Sequence, residues 1–213
     1  MARKKSLISL GLITGLAALT FITSATQWLV RNLGSSSQYD SLLSSILIIL
    51  CIFFWYKETR SFPWFPASSF WKISCYLMGI IVFILLIINI LNQPVSKITG
   101  QARSLFEVMD VIVFGPIAEE LVFRGVMWSI FKRLAQNSHG RVVTLIGTSL
   151  LFGVEHLGYW ALSYWPLPPA AMMHALLMVG AGAFFAALRL ASRSLLAPIA
   201  VHMLANGAIL LTQ

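Results

Sequence analysis

Charge is what this chain has least of. Asp, Glu, Lys and Arg make up only 10% of its 213 residues, against about 25% in soluble domains. That shortfall excludes an ordinary water-soluble globular protein. Cysteine is almost as scarce: Cys51 and Cys75 are the only two, both in or beside apolar stretches. Without a CxxC pair they indicate neither a disulfide framework nor a thiolate metal site. HExxH, the helical zinc-protease signature, does not occur. Internal repeats, low-complexity tracts and long polar stretches are also missing, which leaves no room for a solenoid or an appended soluble domain.

What fills the space is hydrophobic residues, 58% of the total. A hydrocarbon core of roughly 30 Å needs about 20 apolar residues per helical crossing. Seven stretches meet or approach that length, at 7–30, 42–56, 73–92, 105–130, 142–164, 168–188 and 195–212. The expected fold is therefore all-α, a polytopic transmembrane bundle of about seven helices. The first stretch follows Arg3-Lys4-Lys5. It is longer than a signal h-region and lacks a small-x-small cleavage site, so a retained helix is expected. Eleven of the fifteen basic residues fall on the same side as the N-terminus, against Arg31, Lys97 and Arg103 on the other. By the positive-inside rule this orients the chain N-in and C-out. The formal charge of +8 then reads as a topology signal and a contact with membrane lipid, with no nucleic-acid partner. Around Phe62-Pro63-Trp64-Phe65-Pro66 and Trp71, aromatics beside prolines suggest an interfacial belt, with a substrate gate as the minor alternative.

The two halves differ in kind. Residues 1–104 read as packing helices, and 105–213 as the catalytic core. Five of the seven acidic residues, Glu107, Asp110, Glu119, Glu120 and Glu155, fall in apolar segments of the second half, together with His156, His174 and His202. Each charge at a helix centre costs about 2.5–3.5 kcal/mol, so such residues are kept for a polar cavity or for function. Glu107 and Asp110, near Lys97 and Arg103, read as ion-pair partners at the interface.

Three patterns carry the chemistry: Glu119-Glu120-Leu-Val-Phe-Arg124, Phe152-Gly-Val-Glu-His156 and His202-Met-Leu-Ala-Asn206. On an α-helix Glu120 and Arg124 share a face and can pair. Glu119 turns about 100° away from Glu120, which makes it the better acid or base. His202 and Asn206 also share a face, from which both can donate to one developing oxyanion. His156 comes from another segment and is placed to hold a water with Glu119. Glu155 turns about 100° away from it, toward a cation or a cavity rim. His174 matches no pattern and is left between cavity lining and packing. Gly180, Gly182, Ala183, Ala186 and Ala187 make a small-residue face of the helix-packing kind, expected to meet the last segment.

EExxxR, FxxxH and HxxxN, in that order on successive apolar segments, resemble the CAAX prenyl endopeptidase and bacteriocin-processing (CPBP or Abi) family over roughly residues 108–207. Pro116, Phe123-Arg124-Gly125 and Ser194-Leu-Leu-Ala-Pro198 add to the likeness. The resemblance implies an intramembrane endopeptidase acting on a membrane-associated protein or peptide, in a multi-pass protein of a bacterial plasma membrane. It also implies that Glu119 activates water with His156, that His202 and Asn206 stabilise the oxyanion, and that Glu120 and Arg124 organise the site. Two forms of the chemistry stay open. One is metal-free; the other places a divalent metal, zinc, on Glu119, His156 and His202 with water in the fourth position. Asn206 suits an oxyanion hole better than a zinc shell, which favours the first. The rivals are a non-catalytic immunity or scaffold protein of the same fold, and a proton-coupled transporter. The second-half clustering of polar residues and the lack of repeat symmetry count against the transporter.

Overall fold

The computed structural model describes residues 45, 46, 49, 63–66, 68–91, 105–135, 139–164 and 166–211. The apolar stretch 7–30, nearly all of 42–56, Lys97 and Arg103 lie outside them. Every regular element among the described residues is helical. There are five: α1 (Ser69–Leu91), α2 (105–134), α3 (Gly140–Ser163), α4 (Pro169–Ser192) and α5 (Leu196–Leu211). They coincide with the last five apolar stretches to within four residues at either end.

Local chemistry sets several of these boundaries. Ser68 Oγ accepts the Trp71 amide at 3.4 Å and caps α1, satisfying one of the orphan donors of a first turn. Pro169 opens α4, where its missing N–H costs nothing. Inside α3, Thr144, Thr148 and Ser149 give their hydroxyls to the carbonyls of Gly140, Thr144 and Leu145. Polar side chains in an apolar setting are thereby paired within their own helix.

Exposure runs opposite to that of a soluble protein. Outward positions are apolar: Ile73, Leu77, Ile80 and Ile84 on α1; Val142, Ile146, Leu150 and Val154 on α3; Met173, Leu176 and Leu177 on α4. Asp110, Glu120, Arg124 and Thr148 are buried. Apolar surface of that extent needs a lipid or protein neighbour. By length and composition α4 is apolar enough to cross a membrane.

α2 departs from the regular helix expected of it. It runs as α over Leu105–Met109, π over Asp110–Phe114, α over Gly115–Glu120, π over Leu121–Met127 and α over Trp128–Leu134. Pro116 explains the first π turn. Its ring has no N–H and crowds the carbonyl four residues back, so the chain widens and the Gly115 amide bonds the Asp110 carbonyl instead. A Cβ at Gly115 would lie 3.0 Å from that same oxygen, which is why glycine suits the position. Asp110, expected at the membrane interface, is buried in this turn.

The described residues fall into two compact units, one over Phe123–Ala187, the other drawing on residues up to Val122 and from Leu188 onward. In the second unit α1 packs along α5, and the start of α2 packs on both. Val108, Ile112 and Leu210 form a buried core there with Val113, Met203 and Leu204. The loop before α1 is tied to the start of α5. Pro63 O accepts the Leu195 amide at 2.8 Å, while Trp64 O accepts the Leu196 amide at 3.1 Å and the Ser194 hydroxyl at 2.6 Å.

In the first unit the end of α2 packs on α3, and α3 meets α4 almost backbone to backbone. A Cβ at Gly153 would stand 2.8 Å from the Ala175 carbonyl oxygen, and one at Gly182 would stand 3.1 Å from Ser149 Cα. Small residues let helices approach this closely. The Gly182 part of the small-residue face therefore meets α3 rather than the last segment. Gly153→Ala is expected to lower stability by about 1–3 kcal/mol through overpacking. Gly180→Ala, with open space around it, should be neutral or gain up to about 1 kcal/mol of helix propensity. Thermal unfolding of the two variants in one detergent checks the contrast.

Candidate functional site

Two clusters of functional side chains are built, one in each unit. In the second unit, Glu119 and Glu120 end the short α stretch between the two π turns, and His202 sits one and a half turns into α5. The carboxylates flank a single imidazole. Glu120 Oε1 lies 3.1 Å from His202 Nδ1, and Glu119 Oε2 lies 3.8 Å from His202 Nε2. Glu120 is fully buried and His202 nearly so, while Glu119 keeps a partly exposed side chain. An ionised carboxylate only accepts, so with Glu120 ionised Nδ1 carries the proton and the ring's orientation and tautomer are set. The gap of 3.8 Å on the other side is too long for a direct hydrogen bond and suits one bridging oxygen.

Glu120 is bound to His202, and Leu121–Met127 is wound as π. π turns occur frequently at functional sites, and here one lies on either side of the glutamate pair.

Asn206, one turn beyond His202, donates from Nδ2 to the Val111 carbonyl at 2.9 Å. That carbonyl's π-register donor would be residue 116, which is proline and has none. The Asn206 side chain thus replaces the hydrogen bond that Pro116 cannot make. Its amide has a second hydrogen. Asn206→Ala should cost about 1–3 kcal/mol by orphaning a carbonyl, and Pro116→Ala in the same chain should restore much of the loss. A double-mutant cycle on melting temperature measures the coupling.

The other cluster lies in the Phe123–Ala187 unit. Arg124 is fully buried. It donates Nη2–H to the Gly182 carbonyl at 2.8 Å, and its guanidinium carbon lies 4.6, 5.4 and 5.9 Å from the ring centres of Phe152, Phe185 and Phe123. Phe152 joins this cage to the second pattern. Its ring centre is 4.7 Å from that of His156, and its carbonyl lies 2.8 Å from His156 Nδ1. A carbonyl only accepts, so Nδ1 carries hydrogen and Nε2 is the acceptor of a neutral ring. Glu155 does not turn away as expected: Oε2 reaches back to 3.0 Å from His156 Nδ1. A 100° step separates the two Cβ atoms, but the flexible glutamate arm spans it. His174 stands beside them, its ring centre 5.8 Å from that of His156 and 6.2 Å from that of Trp160. Among the described residues no three His, Cys, Asp or Glu side chains are grouped to hold a metal ion.

A buried glutamate–histidine pair beside a second carboxylate stands on apolar helices, in this motif order. The model of the type II CAAX prenyl endopeptidase Rce1-like family matches residues 101–208, just over half of the chain. The chain belongs to the Rce1-like family. The matched span holds every motif residue named above and His174 as well. No curated protein and no solved structure matches the chain. Rce1-like membership makes this a member of a family of membrane-bound proteases, with protein as the implied class of substrate.

Sequence reasoning missed the Glu120–His202 bond, the Val111 carbonyl and the place of His174. Pro116 was the available signal for the second, since a proline within a helix always leaves a carbonyl to be satisfied.

Proposed function

We propose that this chain is an intramembrane endopeptidase that hydrolyses one peptide bond in a membrane-associated protein or peptide precursor, with water activated by Glu119. The observation that carries the reading is the single imidazole of His202 held between two glutamates. Glu120 fixes the ring through Nδ1, as a carboxylate does for histidine in hydrolytic triads. A water bound between Glu119 Oε2 and His202 Nε2 gives a proton to Glu119 as its oxygen attacks the scissile carbonyl carbon. The second N–H of Asn206 is available to the oxyanion that forms. As the C–N bond breaks, Glu119 returns the proton to the leaving amine, so the products are a carboxylic acid and an amine. His156 enters through the family pattern, with Nε2 as an acceptor for water or a substrate N–H. Arg124 organises the helix on which His156 stands by holding Phe152.

The same reading takes the chain as a multi-pass protein of about seven segments, N-in, in a bacterial plasma membrane, with catalysis in residues 105–213. The test compares peptides from membranes and medium of cells lacking the chain with those of restored cells. A precursor that accumulates without the chain and is shortened with it supports the reading and supplies the substrate. Identical peptide sets in both would overturn it.

A further inference from the structure

Two motifs of the sequence play no part in the chemistry above, and the structure joins them. One is Pro63-Trp64 of the aromatic loop; the other is Ser194-Leu-Leu-Ala-Pro198, which leads into His202. Ser194 is fully buried at the joint, and its hydroxyl works both ways. It donates to the Trp64 carbonyl at 2.6 Å and accepts the Leu196 amide at 3.1 Å, capping the first turn of α5. The backbone repeats the tie: the Leu195 amide donates to Pro63 O at 2.8 Å, and the Leu196 amide is shared with Trp64 O at 3.1 Å. The turn from α4 is fixed as tightly. Ser192, also buried, accepts the Ser194 amide at 3.2 Å and donates to the Leu188 carbonyl at 2.7 Å. Between the two serines Arg193 takes the left-handed conformation at φ 51°, which persists where the surroundings over-determine it.

α5 is thus held at two places. Ser194 fastens its start, and Asn206 fastens its far half to the Val111 carbonyl. His202 lies between them, about 9 Å along the axis from Leu196 at 1.5 Å per residue. A hydrogen-bonded helix carries a displacement of its start to a side chain so near. The gap that matters is narrow: His202 Nε2 stands 3.8 Å from Glu119 Oε2, and a misplacement of about 1 Å can cost about 100-fold in rate. We propose that Ser194 is a positioning residue of the site. By fastening the start of α5 to the Pro63–Trp64 backbone, it sets the place of His202 between Glu119 and Glu120. Pro63 and Trp64 lie outside residues 101–208, so the family match does not reach that half of the joint. This role rests on the proposed endopeptidase reading.

The test uses the full chain in detergent with the precursor identified by the cell comparison, and sets Ser194→Ala, Ser194→Thr and Glu119→Gln beside wild type. In Ser194→Ala the Trp64 carbonyl and the Leu196 amide still have each other, so the chain should fold with a slightly lower melting temperature. Its kcat per folded molecule should fall about tenfold with KM unchanged. Ser194→Thr keeps the hydroxyl and should recover most of that loss. Ser194→Gly, a tolerated cap, supplies the same reading if the alanine chain is too unstable to assay. A purely structural serine would change the amount of folded chain and leave kcat per folded molecule at the wild-type value. That result, with Glu119→Gln inactive, overturns the role of Ser194 and leaves the protease reading intact. A rise in KM alone, or a loss in Ser194→Thr as deep as in Ser194→Ala, overturns it too. Full activity in Glu119→Gln overturns both.

Discussion

Glu119→Gln is expected to lower kcat by about 10²–10⁴-fold, the range for removing a general base, with the fold unchanged. Glutamine preserves the length and the hydrogen-bonding oxygen at 3.8 Å from His202 Nε2, but it cannot take a proton from water. Glu119 is also the partly exposed member of the pair, so its carboxylate is the less desolvated of the two. Melting temperature should therefore move little. Glu120→Gln is the informative comparison. Its carboxylate is fully buried against His202 Nδ1, so the change acts on the ring's orientation and should lower both activity and stability. Initial rates and thermal unfolding of the two variants separate a base from a positioning residue. Equal loss of activity with equal loss of stability in both would deny Glu119 its distinct role.

The largest effect on stability is expected at Arg124. Truncation to alanine empties a large, fully buried site and orphans the Gly182 carbonyl, a loss of about 3–5 kcal/mol on the scale of large core truncations. Arg124→Lys keeps the charge yet should still cost about 2 kcal/mol. A lysine ammonium is a point charge that cannot present a flat face to Phe152, Phe185 and Phe123 together. The measurement is the melting temperature of the detergent-solubilised chain, alongside the amount of folded protein in membranes. A lysine variant as stable as the parent would show that charge alone, rather than planar stacking, satisfies the cage. The activity of Arg124→Lys should fall as well, because Phe152 both stacks on the guanidinium and anchors His156 through its carbonyl.

Much of this was legible in the residues. Long apolar runs dictate α1 and α3–α5, since a backbone in lipid can satisfy its own polar groups only as a helix or closed barrel. The polar residues confined to 105–206 mark where chemistry is to be found. What escaped reading depends on departures from regular geometry or on contacts distant in sequence. The π winding of Leu121–Met127 departs from the regular helix expected there. The Glu120–His202 bond joins positions 82 residues apart, and nothing local announces it. Gly182 reads as a packing residue by size alone, yet its carbonyl is the acceptor for Arg124. Pro116 is the exception, because its missing N–H predicts an orphan carbonyl and Asn206 answers it.

Glu119 is the residue proposed to make this Rce1-like chain a peptide-bond hydrolase. The most direct measurement places the purified full chain in liposomes with the precursor that accumulates in cells lacking it. Mass spectrometry then follows the products of wild type and Glu119→Gln. One new pair of termini from a single peptide bond, formed by wild type and absent with Glu119→Gln, is the expected result. Cleavage at the same rate by both proteins, or by neither, would contradict it.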